Sequence, residues 1–146
     1  MNDPLSVRVQ LSERSYEIAI GTGNLTDVGA ILGRLCKFTH AVVITDTNVA
    51  QSHARRVANS LGGMGARIDE EVIEAGEASK SVANANRLWQ QLLQHKADRK
   101  SVVVAVGGGV GVMGRVGLAV GVIVGVGVTS PSILKMRLTT WPYSPS

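Results

Sequence analysis

The stretch that decides the fold is residues 101–109, which read SVVVAVGGG. Its apolar run, 102–106, is short and rich in β-branched valine, which is the pattern of a strand buried on both faces, as in a parallel sheet. The three glycines that follow let the backbone turn sharply and let a ligand approach its N–H groups. In α/β proteins, nucleotide phosphates commonly bind where a buried strand opens into glycines. The stretch therefore predicts a central parallel strand with a candidate ligand site at its carboxyl end.

The length and composition of the chain narrow the class of protein. It has 146 residues, of which 45% are hydrophobic and only 3% are aromatic, so its core must be aliphatic. An aliphatic core suits an α/β sheet and argues against modules that stack nucleic-acid bases on aromatic side chains. The single cysteine, Cys36, excludes an intrachain disulfide, and the first residues lack the pattern of a secretory signal. We therefore expect a cytoplasmic protein.

The net charge of +4 is unevenly distributed along the chain. No Asp or Glu follows Asp98, and the basic residues form no visible cluster on one face, so we expect no nucleic-acid partner. Arg115 divides the Gly/Val-rich run 102–128 into halves that are shorter than the ~20 residues needed to cross a bilayer, so we expect no membrane partner. The loss of acidic residues predicts that 111–146 is an atypical Gly/Val-rich and Pro/Ser tail, either disordered or translated in a different reading frame.

Two stretches of alternating apolar and polar residues, 7–11 and 16–20, predict an amino-terminal β-hairpin. The chain then alternates between apolar runs typical of strands and stretches with helical spacing. These are 25–35 (helix, with Asn24 and Thr26 as candidate caps), 41–44 (strand), 49–61 (helix), 66–73 (strand), 82–95 (helix) and 102–106 (strand). This order predicts an α/β fold over residues 1–110, a Rossmann-like parallel sheet with an N-terminal β-hairpin.

Polar or glycine-rich loops follow all three predicted parallel strands and therefore fall at one edge of the sheet. The first contains Asp46, Thr47 and Asn48, whose carboxylate and amide suit the vicinal hydroxyls of a ribose. The alternative is that Thr47 or Asn48 only caps the next helix. The second loop contains Glu77 and Lys80, which suit a hydroxyl and a phosphate, the alternative being a surface ion pair. The glycine turn is the third, and the convergence of the three predicts a common hollow.

The other chemistry-bearing residues have structural explanations. His40, His53 and His95 have no metal-ligand spacing, and His95 suits the negative end of a helix dipole. Cys36 is predicted to be a packed thiol rather than a nucleophile, and Trp89, on an otherwise aliphatic helix, is predicted to be in the core. We therefore predict no catalytic residue and no metal site within this chain.

Several short motifs follow one another in a defined order. They are SYEI at 15–18, IGTG at 20–23, TDTNV at 45–49, GEASKS at 76–81, DR at 98–99 and VAVGGGV at 104–110. Together they resemble the amino-terminal part of 3-dehydroquinate synthases, over about residues 5–110. The strand with its glycine turn is shared with the metal-dependent glycerol dehydrogenases and other sugar-phosphate cyclases, and SYEI and GEASK favour the synthase.

The resemblance implies that residues 1–110 are an NAD-binding domain. The residues that it implies for the cofactor site are Asp46, Asn48, Gly76, Glu77, Lys80, Gly107, Gly108, Gly109 and Val110. In the family, NAD transiently oxidises a hydroxyl of a seven-carbon keto-acid phosphate (DAHP), phosphate is eliminated, and ring closure gives 3-dehydroquinate in the shikimate pathway to aromatic amino acids. The resemblance also implies a divalent metal, zinc or cobalt, that polarises the reacting oxygen, and a protein that is commonly homodimeric.

The resemblance ends after Val110. Met113 stands where the family has an aspartate, the later motifs have no match, and the helical carboxy-terminal domain that supplies the metal and substrate ligands is absent. We therefore predict an N-terminal fragment of a 3-dehydroquinate synthase, a phosphate-eliminating lyase, that is truncated before this domain and inactive alone. Two alternatives remain open: a fragment of an NAD-linked glycerol or polyol dehydrogenase, and a non-catalytic binding remnant.

Overall fold

The structure is a computed structural model that describes residues 5–10, 16–79, 81–98, 100–107, 121–126 and 132–137. The strands among them are β1 (Leu5–Val9), β2 (Tyr16–Gly21), β3 (His40–Asp46), β4 (Arg67–Ile73), β5 (Ser101–Gly107), β6 (Gly121–Val126) and β7 (Ser132–Arg137). The α-helices are α1 (Val28–Leu35), α2 (Arg55–Gly62) and α3 (Val82–Gln94). The strands form one mixed sheet in the order β1-β2-β7-β6-β5-β3-β4.

The pairing of the strands agrees with the predicted architecture. β1 and β2 pair antiparallel, as expected for the amino-terminal hairpin. β4, β3, β5 and β6 run parallel to one another, with Val43 of β3 level with Val104 of β5. The predicted α/β class, with its parallel sheet and hairpin, is therefore confirmed. The valine-rich sequences of β3 and β5 explain their positions as the two inner strands of this parallel part, because a strand covered on both faces needs apolar side chains on both.

Two strands come from the segment 111–146, which the sequence sets apart as a tail. β6 pairs parallel with β5, and β7 pairs antiparallel with both β6 and β2. Residues 132–137 lie in this predicted tail, for which disorder was one of two interpretations, and they form a strand. Pairing with a strand on each side satisfies the backbone N–H and C=O groups of β7. The boundary at residue 110 stays a prediction, since 108–120 lie outside the described residues.

Helices cover both faces of β3 and β5. On one face, α1 and α2 bury Leu32, Val57 and Leu61 in a cluster with alternate residues of β3 and β5. On the other face, α3 buries Leu88 and Leu92 against Val42, Ile44, Ile73 and Val103. Each face thus has its own apolar layer, and the parallel strands lie between the two layers.

The placement of Trp89 differs from the prediction. This side chain is 40% exposed, and Leu93 on the same helix is 73% exposed. The prediction of a core tryptophan is wrong because Leu88 and Leu92 occupy the stripe of α3 that faces the sheet. No helix in the described part of the chain has both the length and the apolar character to cross a membrane.

The start of α1 is held by a residue from another helix. The sequence offered Asn24 and Thr26 as candidate caps of α1, but neither side chain caps this helix. Thr26 Oγ1 instead donates to the carbonyl of Gly23 at 2.9 Å. The backbone N–H of Gly29 donates to Ser60 Oγ on α2 at 2.9 Å, and that hydroxyl donates to the carbonyl of Thr26 at 2.6 Å. Ser60 therefore satisfies one of the N–H groups that every helix leaves unpaired at its amino end.

Candidate functional site

The ends of three parallel strands lie side by side at the carboxyl edge of the sheet. β3 ends at Asp46, which pairs in register with Ile73, the last residue of β4. On the other side of β3, Thr45 pairs with Val106, and Gly107 ends β5 one residue later. The structure thus brings Asp46 and Gly107 to the same edge, with β3 between its two neighbours. Ligands of open α/β sheets bind outside this edge.

The carboxylate of Asp46 shapes the turn that follows β3. Its Oδ1 accepts hydrogen bonds from the backbone N–H groups of Asn48 at 2.9 Å and Val49 at 3.2 Å. This turn leads into a single π-helical turn, Ala50–Ala54, and then into α2. Neither Thr47 nor Asn48 caps the following helix through its side chain, as the sequence alternative proposed; Asp46 closes the turn that precedes it. Because a carboxylate has two oxygens and about four lone-pair sites, this turn leaves Asp46 acceptor capacity for a ligand hydroxyl.

The loop after β3 is hydrogen-bonded to the loop after β4. The backbone N–H of Thr47 donates to the carbonyl of Ile73 at 3.0 Å, and the backbone N–H of Ala75 donates to Thr47 Oγ1 at 3.2 Å. These two bonds bring Asp46 and Asn48 close to Gly76, which comes from a part of the chain about thirty residues later. Sequence reasoning did not find this tie, because a threonine side chain gives no signal of so distant a partner.

Gly76 turns the chain at the start of the second candidate loop. Its φ is +116°, a region that residues with a side chain rarely adopt, which explains the glycine. Among the described residues, no atom lies within 4 Å of the position that a Cβ would occupy at Gly76. Glu77 follows in the short 3₁₀ turn Glu77–Ser79. Of the other predicted site residues, Lys80, Gly108, Gly109 and Val110 lie outside the described residues, as does the side chain of Glu77.

A separate polar network lies at the opposite, amino-terminal edge of the sheet. Asp69 of β4 contacts Arg67 at 2.7 Å, His40 Nε2 at 2.8 Å and His95 Nδ1 at 3.5 Å. The other ring nitrogen of His95 lies 2.7 Å from Glu71 Oε1. The helix-dipole explanation of His95 is therefore incomplete, because the residue also joins the end of α3 to two carboxylates of β4. This network fastens α3 to the sheet and is remote from the carboxyl edge.

The network continues onto β5 through the hydroxyl of Ser101. His40 Nδ1 lies 3.0 Å from Ser101 Oγ, which donates to Asp98 Oδ1 at 3.0 Å. The Ser101 hydroxyl, and after it the backbone N–H of Lys100, hold the pKa of the exposed Asp98 carboxyl below its ordinary value. This hydroxyl is thus engaged by two neighbours and has a structural role in anchoring the start of β5.

Two further predictions concern metal and thiol chemistry. The described residues contain no group of three or more His, Cys, Asp or Glu side chains that could hold a metal ion. Cys36 packs against the core on the α1 and α2 side of the sheet, and burial raises the pKa of its thiol. A raised pKa lowers the fraction of reactive thiolate, which fits the interpretation of a packed thiol.

Three curated relatives are similar in sequence to this chain. The chain is 38% identical over 109 residues to the 3-dehydroquinate synthase of Nitrobacter winogradskyi, covering 75% of this chain and 28% of the relative. It is 41% identical over 118 residues to that of Rhodopirellula baltica, covering 75% and 31%. It is also 41% identical over 101 residues to the 2-epi-valiolone synthase of Stigmatella aurantiaca, covering 67% and 25%. The chain therefore spans less than a third of the length of these relatives.

The solved structures agree with the relatives at the level of the fold. A 2-deoxy-scyllo-inosose synthase, crystallised in complex with carbaglucose-6-phosphate, NAD+ and Co2+, superposes with a TM-score of 0.63 over 77% of this chain and 30% of that one, at 23% identity. A family model described as iron-containing alcohol dehydrogenase matches residues 19–112, which include all of the carboxyl-edge residues described above. This chain belongs to the iron-containing alcohol dehydrogenase family.

Proposed function

We propose that this chain is the NAD-binding part of a sugar-phosphate cyclase of the 3-dehydroquinate synthase type. The observation that carries the proposal is the hydrogen-bonded junction of two loops, Thr47 with Ala75, beside the glycine that ends β5. The synthase names of the relatives support the reaction class, and the NAD+ in the complex of 2-deoxy-scyllo-inosose synthase supports the cofactor. The family model alone would also suit an alcohol dehydrogenase, and the synthase names favour the cyclase.

Two features of the carboxyl edge suit a dinucleotide: an acceptor for a ribose hydroxyl and backbone that a pyrophosphate can approach. The carboxylate of Asp46 can accept a hydrogen bond from a ribose hydroxyl while its Oδ1 holds the turn. No described residue fills the space beside Gly76, and since Gly76 and Gly107 both lack a side chain, a pyrophosphate can approach their backbone. NAD supplies the hydride acceptor when it is bound, and the residues of this chain bind and orient it.

The proposed substrate of the whole enzyme is DAHP, on the strength of the relatives' names. The role assigned to this chain itself is narrower. This chain spans 28% of the Nitrobacter winogradskyi synthase, so we assign it the binding and orientation of NAD and no step of turnover. The Co2+ of the 2-deoxy-scyllo-inosose synthase complex has no part in the role proposed for this chain.

The test of the proposal is NAD+ binding by the 146-residue chain and by Asp46→Asn, measured by calorimetry. The amide oxygen of asparagine can still cap the turn, whereas the charge and one acceptor are lost. Because a hydrogen bond to a charged group contributes about 1.5–3 kcal/mol, we expect the variant to bind at least about tenfold more weakly.

The matched control for this experiment is Asp27→Asn. Asp27 is exposed and precedes α1, so this change removes an equal charge outside the loops that follow β3 and β4. The control should retain the affinity of the unmodified chain. The proposal fails if the unmodified chain does not bind NAD+ saturably, or if the two variants bind it equally well.

A further inference from the structure

The loop between β4 and α3 is organised around one buried hydroxyl. Ser79 is only 5% exposed, although it lies in a loop beside Gly76. Its Oγ donates to the carbonyl of Gly76 at 2.7 Å and lies within hydrogen-bond reach of the carbonyl of Glu74. A hydroxyl has one proton, so the two carbonyls share a bifurcated bond. The Ser79 hydroxyl therefore holds the carbonyl groups of Glu74 and Gly76 close together.

The first turn of α3 holds the same loop from its other end. The side-chain amide of Asn84 donates to the carbonyl of Ser79 at 2.9 Å. The backbone N–H of Asn84 donates to Ser81 Oγ at 3.2 Å, which is the N-cap bond of α3. Asn84 thus joins the loop to a helix that Leu88 and Leu92 bury against the sheet. The position of the loop is thereby tied to the position of the core.

We propose that Ser79 and Asn84 are positioning residues for NAD, which set its affinity through the shape of the loop that carries Glu77 and Lys80. The inference rests on the proposed function and deepens it. Neither residue needs to touch the cofactor. Gly76 gives this loop a backbone with more conformational freedom than any other residue would, and ordering such a backbone on binding lowers affinity. The bonds from Ser79 and Asn84 restrict this freedom before NAD arrives.

The experiment compares Ser79→Ala with Ser60→Ala in the 146-residue chain. Each serine bonds backbone groups through its hydroxyl, but Ser60 of α2 bonds those of Gly29 and Thr26 at the start of α1, on the opposite face of the sheet. We expect Ser79→Ala to raise the Kd for NAD+ about fivefold to tenfold, and Ser60→Ala to leave it unchanged at a comparable loss of thermal stability. Ser79→Thr, which keeps the hydroxyl, should recover most of the affinity.

A second variant guards against a simple loss of folding. Asn84→Ala removes the tie to Ser79 from the helix side and should weaken NAD+ binding in the same direction. The double variant should lose less affinity than the sum of the two single losses, because both changes free the same loop. Amide hydrogen exchange at Gly76 and Ser79 should accelerate in each single variant, while the amides of the sheet strands stay protected.

The outcomes separate this inference from the proposed function. If the unmodified chain binds NAD+, Asp46→Asn weakens that binding and Ser79→Ala does not, the positioning role is contradicted while the proposed function stands. If the unmodified chain does not bind NAD+, the proposed function itself fails, and faster exchange in Ser79→Ala would then show a structural role alone, which also contradicts the inference.

Discussion

Replacing Gly29 by alanine is expected to lower the free energy of unfolding by about 3 kcal/mol, the upper end of the usual cost of overpacking. Gly29 lies in the first turn of α1, where the helix meets α2. A Cβ at this position would lie 2.2 Å from the carbonyl oxygen of Ser60 and 2.8 Å from its carbonyl carbon. Both atoms belong to the backbone of α2, so no rotation of a side chain can relieve the contact.

The same change also breaks the hydrogen bond that holds the start of α1. If α1 moves away to make room for a methyl group, the N–H of Gly29 loses Ser60 Oγ, which now lies 2.9 Å away. Gly29→Ala should therefore lower stability, whereas an ordinary glycine-to-alanine change in the interior of a helix raises it by about 0.5–1 kcal/mol. Urea-induced unfolding followed by circular dichroism gives the free energy directly.

Gly33→Ala is the matched control, one turn later on the same helix. A Cβ at Gly33 meets only the terminal methyl group of Met64, at 2.7 Å, and this flexible side chain can move. We expect Gly33→Ala to change stability by less than about 1 kcal/mol, in either direction. Equal stability of the two variants would contradict the close approach of α1 and α2 at Gly29.

The second large effect is expected for Asp69→Ala at the amino-terminal edge of the sheet. The carboxylate of Asp69 is 21% exposed and faces Arg67, His40 and His95 together. Its removal leaves these three groups oriented towards one another without their shared acceptor. Since an unpaired, partly buried donor costs about 1–3 kcal/mol, we expect the free energy of unfolding to fall by about 2–3 kcal/mol.

Glu70→Ala provides the comparison for this prediction. Glu70 is the next residue of β4 and is exposed, so the change removes the same charge from the same strand without touching the network. Its effect should be within about 0.5 kcal/mol. Thermal unfolding of both variants at neutral pH measures the difference. A loss for Asp69→Ala no larger than that for Glu70→Ala would show that the network contributes nothing to the stability of the sheet.

The central strands were the most predictable part of the fold. Residues 41–44 and 102–106 are short β-branched runs between polar or glycine-rich segments, and few other structures accommodate such a pattern. β4 gave a weaker signal because Asp69 and Glu71 interrupt its apolar pattern. These carboxylates are tolerated on the α3 face because His40 and His95 meet them there. Partners so far apart in sequence cannot be inferred from local periodicity.

The candidate site was predictable in its strand ends but not in its internal bonds. Asp46 was found because a carboxylate after a parallel strand has a local meaning, and Gly76 was implied by the family resemblance. The bond between Ala75 and Thr47 joins residues 28 positions apart, and the hydroxyl of Ser79 turns inward to the carbonyls of its own loop. Serine and threonine occur in most loops, so their presence did not indicate these roles.

The measurement that tests the central claim most directly is a titration of the isotopically labelled chain with NAD+, followed by the chemical shifts of its backbone amides. The claim is that the loops after β3 and β4 and the end of β5 form one cofactor site. It predicts saturable shifts at Asn48, Ala75, Gly76 and Gly107, all with the same apparent Kd, and no shifts at His40, Asp69 or His95 at the opposite edge. Shifts confined to that opposite edge, or no saturable shift at any of the four amides, would contradict it.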